Sequence, residues 1–418
     1  DIEYLRSMNT FSNDFLNYLK DFKFTGDIYA IPEGTIVFPT EPLVRVKAPI
    51  MEAQIIEAAL LNIINHQSLI ATKAARVVWA AGGDPIMEFG LRRAQGPDAG
   101  TYGARAAIIG GCAGTSNVLT GKMFGVPILG THAHSWVMSF PSEIEAFRHY
   151  AKTFPDACTF LVDTYDTLRS GVPNAIKVFQ EMKDAGIELK NYGIRLDSGD
   201  LAYLSKKARK MLDEAGFTDA KITASSDLDE YLIMSLKLQG AKINNWGVGT
   251  KLITSDDCPS FGGVYKLAAE SDENGNFIPK IKLSNNPSKV TNPGIKKVLR
   301  FYDKATGKIK ADLICLDDEV YSEDKKVKLF DHTAVWKKMV LHPGEYSIRE
   351  LLVPVFINGE CVYNSPCVTD IRAYCQKELN TLWDEHRRLA NPHNVPVDLS
   401  DKLLDLKNKL IEEMSEEE

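Results

Sequence analysis

The feature that most constrains the fold of this chain is a strand-and-helix period running from residue 157 to residue 248. Apolar runs at 158–163, 189–196, 220–225 and 243–248 read as strands. Between them, 166–185, 200–215 and 227–239 carry apolar residues at helical spacing. These stretches end at Gly186, Gly216 and Gly240, the residue type best suited to a left-handed position after a helix. Such alternation predicts βα units and a parallel barrel or sheet. Folds of this kind keep their chemistry at the carboxyl ends of the strands. Those ends carry Asp163, then Arg195 with Asp197, Ser198 and Asp200, then Ser225 and Ser226, then Gly247 to Thr250. Packing would explain one or two polar endings; a run of them points to an active-site rim.

The rest of the chain is organised differently. Residues 1–24 read as helical, and Asp27–Ile31, Thr35–Phe38 and Leu43–Val46 as short strands. Residues 51–82 read as one long or broken helix stopped by Gly82-Gly83, and about 101–110 as a helix of small residues. Beyond 258, strands are expected at Val264–Ala268, Lys280–Leu283, Lys297–Phe301 and Ile309–Leu316. A hairpin is expected about Asn358-Gly359, then helices at about 368–390 and 398–413 and a frayed acidic tail from Glu412 to Glu418.

Composition narrows the class. The net charge of −7 disfavours a nucleic-acid or anionic-membrane surface. No apolar run approaches the ~20 residues that span a bilayer. The seven cysteines have no C-x-x-C spacing, so reduced thiols in a cytoplasmic enzyme are expected, with neither a zinc site nor a disulfide framework.

Four motifs could carry chemistry. Val126–Leu129 reads as a buried strand that ends at Gly130-Thr131 and presents His132 and His134, the side chain most easily made a nucleophile or proton carrier near neutral pH. Both imidazoles could equally be hydrogen-bonded packing residues. Gly247-Val-Gly249-Thr250 could cradle a phosphate with backbone N–H groups, or be a tight turn. Arg195-Leu-Asp-Ser-Gly-Asp200 could clamp an anion through Arg195 and hold sugar hydroxyls or magnesium through its carboxylates. Alternatively, Ser198 or Asp200 caps the next helix and Arg195 neutralises Asp197. Phe89 beside Arg92 and Arg93 could stack a flat ring with anions on the guanidiniums, or be a core residue beside surface cations. Lys282, Lys289 and Lys296-Lys297 read as a solvated face.

Together these motifs resemble the nicotinate phosphoribosyltransferase family. The resemblance is carried in order by Glu88-Phe-Gly-Leu-Arg-Arg-Ala-Gln-Gly96, Thr115-Ser-Asn117, Gly130-Thr-His-Ala-His-Ser135, Gly193-Ile-Arg-Leu-Asp-Ser-Gly-Asp200, Ser226-Asp-Leu-Asp229 and Gly247-Val-Gly-Thr250. Lys282-Leu-Ser284 and Lys289-Val-Thr-Asn-Pro-Gly294 add to it. It implies an irregular α/β barrel beside an α/β domain built from both chain ends, and a homodimer with active sites near the interface. The implied reaction joins nicotinate to phosphoribosyl pyrophosphate with coupled ATP hydrolysis, magnesium assisting. The resemblance places a phosphorylatable histidine at His134, nicotinate contacts at Thr131 and Arg195, and a phosphoribosyl pyrophosphate contact at Thr250. Phe89 matches a ring-stacking aromatic, Arg92 a phosphate-contacting arginine and Asp197 a ribose-side carboxylate, with Asp200 beside it. His132 falls on a variable position. Ser116 stands where nicotinamide-specific relatives carry an aspartate, which fits a substrate bearing a carboxylate.

The expected division is 1–83 as the amino-terminal part of an α/β sandwich domain, 84–257 as the catalytic barrel, and 258–418 as a β-rich then helical part packing on the first. Family members begin with a further segment whose tyrosine stacks on nicotinate, so the first domain is expected to lack its opening piece. Two other readings stay open. One is a nicotinamide phosphoribosyltransferase-like enzyme. The other is a barrel enzyme acting on a sugar phosphate, for which Lys251 is the lysine nearest a catalytic position.

Overall fold

The computed structural model describes residues 1–285, 289–331, 334 and 336–416. Its centre is a six-stranded, wholly parallel sheet. The strand order is Gly114–Thr115, Ile86–Glu88, Asn245–Val248, Lys221–Ala224, Asn191–Leu196 and Ala157–Leu161. The four expected βα strands all form, and Gly186, Gly216 and Gly240 all take positive φ. The helix Val172–Asp184 buries Val172, Ala175, Val178, Phe179 and Met182, one stripe at helical spacing. Phe179 stacks on Phe160 (centroids 5.1 Å apart), which stacks on Phe147 at 4.6 Å. Each such ring contributes roughly 1.5–3 kcal/mol by leaving water. Side-chain caps start the helices that follow the strands. Asp200 accepts the N–H of Tyr203, and Asp229 that of Leu232.

Two further four-stranded sheets draw on distant parts of the chain. One runs Glu360–Cys361, Val353–Ile357, Asp27–Ala30, Val44–Lys47 and the other Tyr346–Glu350, Lys296–Asp303, Ile309–Leu316, Val397–Leu399. A buried charge network pins them. Arg300 is bidentate to Asp312 (2.8 and 2.6 Å) and donates to the Ile36 carbonyl at 2.7 Å. Arg349 is bidentate to Glu378, both contacts at 2.8 Å. Glu41 faces Arg300 across 3.8 Å. Burial, reinforced by the hydrogen bond and charge of Asp312, pushes the Glu41 carboxyl up to about 9.

Several expectations are corrected. Thr35–Phe38, Val264–Ala268 and Lys280–Leu283 are not strands; a further antiparallel pair forms between Ala269–Ser271 and Phe277–Pro279, while the expected hairpin about Asn358-Gly359 pairs Val353–Ile357 with Glu360–Cys361. Other expectations hold: residues 51–82 form a broken helix, Ile50–Ile55 then Glu57–Ala81, and residues 1–24 are helical as Ile2–Ser7 and Asn13–Lys20. Val126–Leu129 makes one parallel bridge, Thr115 to Ile128, and only Val126 of the four is buried. The last helix continues to Glu416 where fraying was expected from Glu412, and Glu417–Glu418 lie outside the described residues. No helix among the described residues is long and apolar enough to cross a membrane.

The raised Glu41 pKa makes a pH prediction. A carboxyl held neutral in the fold but ionised in the unfolded chain contributes stability below about 4.5 that is lost as pH climbs towards about 9. Urea denaturation of Glu41→Gln should therefore show the variant gaining on the parent between pH 5 and 9. A stability difference that stays flat across that range would contradict the neutral carboxyl.

Candidate active site

The carboxyl ends of the parallel strands converge on Arg195, near the end of Asn191–Leu196. Its Nε donates to Ser225 Oγ at 2.8 Å, Nη1 to Thr131 Oγ1 at 2.9 Å and Nη2 to Asp197 Oδ1 at 2.9 Å. Its guanidinium carbon lies 5.3 Å from the centre of the Phe89 ring. Among the described residues three donors are used of the five a guanidinium carries, which leaves one N–H on each terminal nitrogen. Burial alone would raise the Asp197 pKa, but the Ser225 hydroxyl and Arg195 outweigh it and hold the carboxylate below its ordinary value.

His134 opens the short helix His134–Met138 and is 39% exposed. Its Nδ1 lies 3.2 Å from Thr164 Oγ1. Its Nε2 is 3.5 Å from Asp197 Oδ2 and 3.9 Å from Asp163 Oδ1. Asp163 is nearly fully buried, and its Oδ2 accepts the Asp197 N–H at 3.0 Å and the Ser198 hydroxyl at 2.5 Å. Among the described residues its Oδ1 has no hydrogen-bond partner, and it faces the imidazole. Sequence reasoning named Asp163 only as a polar strand ending. Its alignment with His134 is a tertiary fact, although its place just past a strand was a usable signal.

His132 turns away from this cluster. It is buried, its Nε2 accepts the N–H of Leu161 at 3.2 Å, and its ring meets Tyr150 edge-on at 4.7 Å. Burial pushes its pKa down to about 4, with Arg195 and His134 adding to the fall, so the ring is neutral.

Gly247 and Gly249 stand close to Phe89. A Cβ on Gly247 would lie 2.6 Å from the Phe89 ring, and one on Gly249 3.0 Å from the Phe89 carbonyl oxygen. Room for Phe89 is thus a visible reason for both glycines. Glu88, fully buried, accepts from Thr115 Oγ1 at 2.6 Å and from the Gly90 N–H, which holds the turn carrying Phe89. Burial raises its pKa against both hydrogen bonds.

Of the remaining candidates, Ser225 is buried under Arg195, while Ser226 is exposed at φ 95° beside Asp227 at φ 42°, the strained backbone that functional loops hold. Ser116 is exposed and its N–H bonds the Glu88 carbonyl at 3.0 Å. Arg92 is exposed on a short turn of helix and makes no ion pair among the described residues. Thr250 begins the four-residue helix Thr250–Ile253. Asp200 does not join the cluster; its carboxylate caps the helix Leu201–Glu214. Lys251 is paired with Asp229 at 2.7 Å, which raises its pKa and removes it as a free amine nucleophile.

A parallel barrel sheet presenting an arginine, two carboxylates and an imidazole at its strand ends has the build of a group-transfer enzyme. Comparison with known proteins narrows the class. Residues 1–65, 85–259 and 295–407 match the amino-terminal domain, the family model and the carboxyl-terminal domain of nicotinate phosphoribosyltransferase. Nicotinate phosphoribosyltransferase of Bacillus subtilis is 49% identical over 100% of this chain and 85% of its own length. A Mycobacterium tuberculosis relative of the same description is 40% identical over 97% of this chain and 79% of its own. The crystal structure of human nicotinic acid phosphoribosyltransferase superposes with a TM-score of 0.82 at 28% identity, covering 98% of this chain and 88% of that one. The chain belongs to the nicotinate phosphoribosyltransferase family.

The glycine geometry is testable on its own. Gly247→Ala should displace the Phe89 ring from Arg195 and cost about 1–3 kcal/mol. Gly262→Ala, where nothing lies within 4 Å, is the control. Equal denaturation midpoints for the two variants would contradict the contact.

Proposed function

We propose that this chain joins nicotinate to phosphoribosyl pyrophosphate, giving nicotinate mononucleotide and pyrophosphate, with coupled hydrolysis of ATP to ADP and phosphate. The observation that carries the reading is the fixed Arg195 guanidinium, with one free N–H on each terminal nitrogen, lying against Phe89. A carboxylate on a flat ring meets both needs, charge-assisted hydrogen bonds and an aromatic neighbour. At position 116 an exposed serine stands in place of an acid that would repel the carboxylate.

In the reaction, the bond from ribose C1 to pyrophosphate breaks, positive charge grows on the sugar and negative charge on the leaving group. Asp197, kept ionised by Ser225 and Arg195, is the carboxylate we assign to the ribose side. Arg92, exposed and without an ion-pair partner among the described residues, is our assignment for a phosphate contact, with Thr250 and the backbone of Gly247 and Gly249 on the phosphoribosyl group. His134 is our assignment for the phosphoryl acceptor from ATP, its ring held by Thr164 and flanked by Asp163 and Asp197. Asp200 keeps the cap alone.

Among the described residues no three His, Cys, Asp or Glu side chains cluster as an ion site. We therefore infer that magnesium would arrive on the phosphates, neutralising their charge, with Asp163 Oδ1 and Asp197 Oδ2 as the carboxylate oxygens nearest His134. We place the activity in cytoplasmic NAD salvage by a homodimer with its site near the interface. We keep 1–83, 84–257 and 258–418 as the proposed domains. The paired state of Lys251 counts against a sugar-phosphate aldolase, whose amine must be free.

His134→Ala should leave the thermal transition unchanged and lower ATP hydrolysis, measured with nicotinate and phosphoribosyl pyrophosphate present, by roughly 100-fold or more. Undiminished hydrolysis in that variant would remove His134 from the mechanism.

A further inference from the structure

The six-stranded sheet has two outer strands, Gly114–Thr115 at one side and Ala157–Leu161 at the other. One short segment, residues 127–132, bonds to both. At the first edge it does so with backbone: the Thr115 N–H donates to the Pro127 carbonyl at 3.1 Å and the Leu129 N–H to the Thr115 carbonyl at 2.9 Å. At the second edge the bond is made by a side chain, with His132 Nε2 accepting the Leu161 N–H at 3.2 Å. An imidazole thus stands where a neighbouring strand would offer a carbonyl. The residue before it in sequence is Thr131, which holds Arg195, and two beyond it is His134; the residue two beyond Leu161 is Asp163, which faces His134.

We propose that His132 is a positioning residue. Its Nε2 closes the barrel sheet at Leu161 and thereby sets the distance between His134 and Asp163, and between Thr131 and Arg195. The role needs a lone pair on Nε2, so it needs the neutral ring, and burial against Tyr150 and Phe147 keeps the ring neutral. It rests on the reading of His134 as phosphoryl acceptor only for which chemical step it serves; the closure itself is independent of that reading. Catalytic geometry is sensitive to small displacements, a shift of about 1 Å costing up to roughly 100-fold in rate.

The test separates acceptor from bulk. His132→Phe keeps an aromatic ring against Tyr150 and removes the acceptor. His132→Gln keeps an acceptor at the reach of Nε2, and His132→Asn withdraws it by one carbon. Four readouts are taken on the full chain: the thermal transition, amide exchange at Leu161, phosphate incorporated from ATP, and kcat and KM for nicotinate mononucleotide formation. We expect His132→Phe to stay folded, expose the Leu161 amide to exchange and lower kcat by roughly 10- to 100-fold, with the KM for phosphoribosyl pyrophosphate little changed. His132→Gln should restore most of kcat, and His132→Asn should not; if the Phe variant fails to fold, the Gln and Asn pair still decides. Unchanged kcat in both the Phe and Asn variants, or equal loss in Gln and Asn, would overturn the proposal. If the parent chain takes up no phosphate while kcat and Leu161 protection still follow the Gln-against-Asn order, the positioning role stands and the phosphohistidine reading falls.

Discussion

The site depends on one guanidinium held still. Arg195 emerges from a strand whose other side chains are mostly buried, and three different strand ends or loops supply its partners: Ser225, Asp197 and Thr131. Each bond is directional, so together they leave the planar group little rotational freedom. Asp197 shares its oxygens between Arg195, Ser225 and the approach to His134, which keeps it ionised in a half-buried place. A lysine could supply the charge but not three fixed bonds with donors to spare.

The geometry around Arg195 is set by the parallel sheet. Its strands end at one level, so residues far apart in sequence meet there with short side chains. Gly247 lets the Phe89 ring lie across a neighbouring strand, and buried Glu88 ties Thr115 and Gly90 beneath that ring. The sheet is completed by the segment from Pro127 to His132, and a second body made from both chain ends stands beside the barrel. Arg300, Asp312, Glu41, Glu378 and Arg349 hold that body together, a network in which Arg300 pairs with Asp312, Arg349 with Glu378, and the Glu41 carboxyl is pushed up to about 9 by burial.

Much of this was legible in the sequence where the signal was local. The βα period, the glycine stops and the strand ends carrying Arg195 and Asp197 follow from spacing and turn chemistry, and the structure reproduces them. The order of the motifs made the family readable. Legibility failed where tertiary contact decides. Val126–Leu129 is apolar enough for a buried strand, yet it bridges a sheet edge once and stays mostly exposed. The roles of Asp163 and His132 depend on partners about thirty residues away, which no window of sequence contains. Asp200 reads in sequence both as a chemical group and as a helix cap, and its carboxylate makes the cap.

We propose that the fixed fork of Arg195, more than its charge, receives the substrate carboxylate. The most direct test is the kinetics of Arg195→Lys with nicotinate at saturating phosphoribosyl pyrophosphate and ATP. The account predicts that kcat/KM for nicotinate falls by roughly 100-fold or more, about 2.7 kcal/mol, while the KM for phosphoribosyl pyrophosphate moves little. A lysine variant that keeps kcat/KM for nicotinate within about threefold of the parent, well under 1 kcal/mol, would contradict it.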